Sequence, residues 1–197
     1  MANLEFRYGT MNSGKSMAVL QMAYNYEENG KRVILIKSVI DTKGGDYLVS
    51  RVGPKRKVQI KLHKDERLLC DKYVPMIMGL DAIFVDEAQF LTKKQVEDLW
   101  YISKRMNILV ICFGLKTNFK SEFFEGSKRL FELADKLKEL ETICSCGTKA
   151  RFNARKVNGH FVFYGDEFVI DNENENTEYV PLCGKCYLDK VFLPNKK

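Results

Sequence analysis

The run Gly9-Thr10-Met11-Asn12-Ser13-Gly14-Lys15-Ser16 fits G-x-x-x-x-G-K-[ST] without a mismatch. It limits the fold more than any other feature, because the pattern needs a strand before it and a helix after it. Its glycines let the backbone curl so that several N–H groups converge on one anion. The following helix adds the positive end of its dipole. In such a loop Lys15 reaches the β- and γ-phosphates of a nucleotide, and the Ser16 hydroxyl ligates Mg²⁺. Both flanks are present. "LEFRY" alternates Leu4, Phe6 and Tyr8, a strand pattern, and "KSMAVLQMAYNYEENG" reads as a helix with apolar positions at Met17, Leu20, Ala23 and Tyr24 and a stop at Gly30.

The same alternation of strand and helix continues downstream. "RVILI", "DAIFVDEAQF" and "ILVICFGL" are buried-strand runs. "HKDERLLCDKYV", "TKKQVEDLWYISKRM" and "EGSKRLFELADKL" read as helices, the second opened by a Thr92-x-x-Gln95 capping box. "DTKGGDYLVSRVG" reads as a mobile loop. The pattern predicts an α/β fold with a mostly parallel sheet up to about Leu140. From Cys144 to Cys186 the runs become short and alternating, which predicts a small β-rich appendage. The expected boundaries are 1–141 for the core, 142–192 for the appendage and 193–197 for a tail. A chain of 197 residues has room for one well-buried domain and such an addition.

The net charge of +6 suits an anionic ligand. Nucleic acid is not the expected partner: the charges are scattered, the tightest cluster is Lys55-Arg56-Lys57, and Asp166 to Glu178 is acidic. "MANLEFRYGT" lacks an apolar signal core, and the longest apolar run, Ile108 to Leu115, cannot span a bilayer. No membrane association and a cytoplasmic location are therefore expected.

Asp86 and Glu87 close an apolar strand, at the edge where open α/β sheets bind ligands. Asp86 is suited to hold Mg²⁺. Glu87 divides the possibilities. It can activate water, giving an ATPase, or accept the proton of a substrate hydroxyl, giving a small-molecule kinase. Cys144-x-Cys146 and Cys183-x-x-Cys186, separated by 36 residues, suit a closed tetrahedral Zn²⁺ site of structural type. Cys70 and Cys112 read as packing residues, and neither His63 nor His160 falls in a ligand or triad pattern. Phe119 and Phe124 offer flat faces for a base.

Taken in order, "GTMNSGKS", "DEAQF", "GLKTNFKSEFFEGS" and "EYVPLCGKCY" resemble the zinc-containing, cytosolic-type thymidine kinases, from Leu4 to about Tyr187. The resemblance implies a RecA-like phosphate-loop domain, a zinc-held second domain whose lasso loop closes over the nucleoside, and ATP-dependent phosphorylation of the thymidine 5′-hydroxyl for nucleotide salvage. It implies Glu87 as general base and Met11, Gln89, Phe90, Leu115, Phe119, Phe124, Arg155 and Tyr179 around the nucleoside. ATP, Mg²⁺ and Zn²⁺ follow as cofactors, thymidine or deoxyuridine as acceptor, thymidine triphosphate as feedback inhibitor, and a homotetramer as the assembly. The chain departs from the common pattern at Thr10 and Asn12, where Pro and Phe are usual, at Lys43, in a longer lasso, and at Asn153, where a Thr often borders the thymine methyl. A phosphate-loop ATPase that grips nucleic acid with a zinc ribbon is the alternative.

Overall fold

Six strands pair in parallel in the order β5-β2-β6-β7-β1-β8. They are β1 (Leu4–Tyr8), β2 (Val33–Ser38), β5 (Ile60–Leu62), β6 (Ala82–Asp86), β7 (Leu109–Gly114) and β8 (Lys136–Glu139). The computed structural model describes residues 1–42, 44–165 and 176–195. Lys43 and most of the expected lasso therefore lie outside the described residues, as does the end of the expected tail.

Side chains alternate across the strands and separate two cores. Ile34, Ile36, Ile83, Val85, Val110 and Cys112 point to one face, where α3 (Lys93–Arg105) and α4 (Glu125–Leu133) add Val96, Leu99, Ile102 and Leu130. Val33, Leu35, Phe84, Ile111 and Phe113 point to the other, covered by Val19, Leu20 and Ala23 of α1 (Lys15–Glu28). The stripe on α1 differs from expectation at two positions, the first being Met17, which is half-buried and lines the main cavity instead of the core. Val19 joins Leu20 and Ala23 against the sheet, and Tyr24 falls beyond its rim at 60% exposure.

Three local expectations are corrected. Residues 63–74 are not a helix; only α2 (Val74–Ile77) is helical in this region. Side chains of α3 intercept the backbone here. The Asp98 carboxylate accepts the Leu68 N–H at 2.9 Å and pairs with Arg67, and the Gln95 amide donates to the carbonyls of His63 and Glu66. The helix from Glu125 stops at Leu133, because Asp135 bonds Leu4 through both its N–H and its carboxylate and so starts edge strand β8. The segment after Asp41 is not all loop. It contains the hairpin of β3 (Tyr47–Val49) and β4 (Lys55–Lys57). The capping box forms as expected: the Thr92 hydroxyl accepts from Gln95 N–H, and the Gln95 side chain accepts from Thr92 N–H.

The β-rich part is a three-stranded antiparallel sheet, β10-β9-β11, made of β9 (Phe152–Val157), β10 (His160–Val162) and β11 (Thr177–Leu182). Asn158 and Gly159 both adopt positive φ, as a two-residue hairpin turn requires. Its small core joins Ala154, Leu182 and Val191 to Tyr187, which stacks on Phe152 at 4.8 Å. Cys112 is fully buried, Cys70 packs at the edge of the first core, and both histidines are exposed. Among the described residues no helix is long and apolar enough to cross a membrane.

Candidate active site

At the C-terminal edge of the sheet the loops after β1, β6 and β7 enclose a cavity of about 560 Å³. This is within the range of sites for small molecules and cofactors. Its first wall is the phosphate loop. Gly9 extends β1 by donating to the Gly114 carbonyl, and a Cβ there would meet Ser13 Oγ at 2.4 Å and the Leu140 carbonyl at 2.5 Å. Gly14 takes the left-handed conformation (φ 77°) that opens α1. Lys15 is buried and folds back across the loop, donating to the Thr10 carbonyl at 2.7 Å. Burial lowers its pKa, against the pull of Glu87 and Asp86. A bound polyphosphate supplies the negative charge that such an ammonium lacks.

Asp86 ends β6 and is almost wholly buried. Burial, and next to it the charge of Glu87, pushes its carboxyl up to about 7, while the Ser16 hydroxyl donates to it. One carboxylate oxygen, Oδ1, has no hydrogen-bond partner among the described residues. An orphaned buried carboxylate oxygen beside Ser16 and Lys15 fits the coordination of a hard cation, which prefers oxygen ligands.

Glu87 has φ 49° and ψ 40°, a left-handed conformation that costs a non-glycine residue about 1–3 kcal/mol. That turn carries its carboxylate into the cavity. Gln89 then holds it: the Gln89 amide donates to Glu87 Oε2 at 2.5 Å, and its oxygen accepts the Leu115 N–H at 3.0 Å. Gly114 is required next door, since a Cβ would lie 2.7 Å from Gln89 Oε1. Gln89 thus lines the cavity mainly as a brace between β6 and β7.

The far wall is apolar. Phe90 and Phe124 meet edge to face at 5.9 Å, with Leu115, Met11 and Phe119 beside them. Arg155 is the one residue of the expected nucleoside set that does not line the cavity. Its guanidinium lies 3.9 Å from the Phe119 ring centre and donates to the Tyr164 carbonyl. Tyr179 does line it, with a buried hydroxyl that lacks a partner among the described residues.

Several lining residues carry no sequence motif. Asp41, Ser50 and Arg51 come from the segment read as a mobile loop, and Arg51 donates to the Asn12 side chain. Asp41 is held by the fully buried Lys37 at 3.2 Å. Asn153, from β9, accepts the Met11 N–H at 2.8 Å and donates to the Thr117 carbonyl at 3.1 Å. It therefore clamps the phosphate loop to the loop after β7. With Tyr187, whose hydroxyl donates to the Phe119 carbonyl at 2.5 Å, it docks the antiparallel sheet against the cavity. No local pattern in the sequence marks this clamp.

The four sulfurs of Cys144, Cys146, Cys183 and Cys186 lie within 4.8 Å of one another. A tetrahedral Zn²⁺ with Zn–S bonds of about 2.3 Å needs sulfurs about 3.8 Å apart. The Cys146–Cys183 separation is 3.6 Å, and all six cysteines are free thiols. An all-thiolate set of this compactness fits a closed metal site.

A parallel sheet, a phosphate loop, an acid pair at the strand ends and an adjoining aromatic slot define the class: a phosphate-loop protein built to hold a nucleotide beside a second ligand. The family model "Thymidine kinase" matches residues 2–187. A thymidine kinase of Lactococcus lactis subsp. lactis is 43% identical over 190 residues, covering 95% of this chain and 97% of its own. Thymidine kinases of Streptococcus gordonii (41% over 190 residues, 95% and 96% covered) and Streptococcus pyogenes serotype M1 (40% over 195 residues, 96% and 98% covered) are similar too. The chain belongs to the thymidine kinase family. Among solved structures, the replication initiator DnaA bound to AMPPCP and single-stranded DNA matches with a TM-score of 0.46 and 18% identity, over 72% of this chain and 41% of that one.

Proposed function

We propose that the protein transfers the γ-phosphoryl group of ATP to the 5′-hydroxyl of thymidine. The observation that carries this reading is the position of Glu87 in one cavity whose walls are the phosphate loop on one side and the aromatic slot on the other. Family membership supplies the acceptor.

In this reading, the N–H groups of residues 9–16 and the Lys15 ammonium hold the β- and γ-phosphates. Ser16 and Asp86 would hold Mg²⁺, which would supply positive charge to neutralise the polyphosphate. The base of the nucleoside lies among Met11, Leu115, Phe90, Phe119 and Phe124, with Tyr179 at its border. Arg155 acts through the ring it stacks on. Glu87, oriented by Gln89, accepts the proton of the 5′-hydroxyl as the new O–P bond forms and the bond between the β,γ-bridging oxygen and the γ-phosphorus breaks. ADP leaves with that bridging oxygen. A general base of this kind contributes about 10²–10⁴-fold. Water has to be excluded, and the resemblance assigns that closure to the lasso "DNENENTEY", most of which lies outside the described residues. Cys144, Cys146, Cys183 and Cys186 would hold Zn²⁺, which would tie together the two parts of the chain that carry the cysteine pairs. Residues 1–141 form the kinase core, 142–192 the zinc-held part and 193–197 a tail. A homotetramer, inhibition by thymidine triphosphate, and cytoplasmic salvage of thymidine for DNA synthesis complete the reading on family grounds.

The test is ADP release from Mg-ATP by the purified protein with thymidine, deoxyuridine, other nucleosides or single-stranded DNA. Thymidine is expected to stimulate release, with thymidine 5′-phosphate as the product. Stimulation by DNA and not by thymidine would overturn the proposal.

A further inference from the structure

A second cavity, of about 260 Å³, lies on the outer side of the phosphate loop. Its wall contains Gly9 and Thr10 of the loop, Lys116 and Thr117 after β7, Glu139 at the end of β8, and Arg151 and Asn153. Thr117 and Asn153 also line the larger cavity, so they form the partition between the two.

Its charges do not balance. Glu139 is compensated by Lys149 at 2.5 Å. Lys116 and Arg151 make no ion pair among the described residues. The one carboxylate in the wall, Glu139, is engaged by Lys149, and Arg151 feels only the more distant charge of Glu141, so two cations give this small polar space a net positive charge that attracts an anion. A second observation is independent of charge. Thr10 is 6% exposed, and its hydroxyl is buried without a hydrogen-bond partner among the described residues. Buried polar atoms are rarely left in that state, so this hydroxyl, beside the half-buried Lys116 and the exposed Arg151, points to a ligand.

We propose that this cavity is a second anion site, for inorganic phosphate or the phosphate group of a small monoester. Lys116 and Arg151 supply the charge-assisted contacts and Thr10 a hydrogen bond. With less than half the volume of the main cavity, it is too small for a whole nucleotide. The ligand sits against Asn153, whose side chain holds Met11 N–H on the other side of the partition. Occupancy is therefore felt by the phosphate loop. The proposal does not depend on which nucleoside is the acceptor.

The experiment blocks the main cavity first. Protein saturated with a non-hydrolysable ATP analogue, Mg²⁺ and thymidine is titrated with inorganic phosphate, and in a second arm with glycerol phosphate, against chloride at matched ionic strength. Thermal melting and calorimetry read the binding. Both probes are expected to raise the melting temperature of the wild type beyond the chloride control, and a response to one alone identifies the source. K116A/R151A should weaken that binding by about tenfold or more, as loss of charge-assisted contacts implies, while nucleotide affinity stays within about twofold. Lys116→Arg should retain it. No response in the wild type, or an equal response in wild type and K116A/R151A, would overturn the proposal.

Discussion

The two ends of the main cavity are built differently. The phosphate end comes from consecutive residues, 9–16, and needs little more than a strand, two glycines and a helix start. The acceptor end is assembled from positions far apart in the chain: Phe90 after β6, Leu115 and Phe119 after β7, Asn153 and Tyr179 from the antiparallel sheet. The first is a local solution to binding an anion. The second exists only when the β-rich part is folded and docked through Asn153 and Tyr187. The contrast implies that the two ends fail separately.

The sharpest way to break this contrast is to remove the metal. A structural zinc site can be worth about 10 kcal/mol or more to a small unit that folds around it. Chelation, or Cys183→Ser, should loosen residues 142–192 to protease and abolish thymidine phosphorylation while ATP still binds. An unchanged digestion pattern after chelation would show that the four thiols hold no structural ion. The converse is Lys15→Ala. Loss of a buried charged contact of about 1.5–3 kcal/mol should weaken ATP binding by roughly 10–150-fold and leave thymidine binding intact. Isothermal titration with each ligand separates the two cases. If thymidine affinity falls in parallel, the ends are not independent.

Asn153→Ala attacks the joint between them. It leaves Met11 N–H and the Thr117 carbonyl without their partner, at a cost of about 1–3 kcal/mol. Both substrates should bind more weakly, each by less than in the variant aimed at its own end. An effect on one KM alone would place Asn153 in one wall only.

The smallest effect is a control remote from both. Bonds from Lys72 and from the His63 N–H, with Tyr73, lower the Glu66 carboxyl from an ordinary value of 4.5 to about 2. A depressed folded-state pKa stabilises above the unfolded value and loses that stability as pH falls through the folded one. Glu66→Gln should therefore lower stability above about pH 5, by about 1 kcal/mol after solvent screening, and the gap should close between pH 4.5 and 2. Denaturant melts across that range check it. Neither KM should move.

What could be read beforehand follows the same division. The phosphate loop, the acid pair, the Thr92 capping box, the alternating strand β1 and the three buried strands β2, β6 and β7 are short-range patterns, and each formed where its residues predicted. The cysteine spacing foretold a compact thiol cluster. The false helix at 63–74 had good local propensity, but Gln95 and Asp98, from a helix further along the chain, took its backbone groups. Edge strand β8 was hidden because "ADKL" continues a helical pattern until Asp135 bonds Leu4. Arg51 carries no motif, and Asn153 was marked only as a departure from the family pattern, with nothing to show its clamp. Their roles depend on contacts across 39 and 142 residues, which one sequence does not reveal. Glu87 was legible as an acid at a strand end, but its left-handed backbone and its brace, Gln89, were not.

The central claim is that the Glu87 carboxylate takes the proton of the acceptor hydroxyl. Glu87→Gln is nearly isosteric and keeps an oxygen for the Gln89 amide, so it removes the base and little else. Steady-state turnover of thymidine with Mg-ATP, measured beside ATP affinity, should show kcat reduced by about 10²–10⁴-fold with ATP binding unchanged. A kcat equal to that of the wild type would contradict the account.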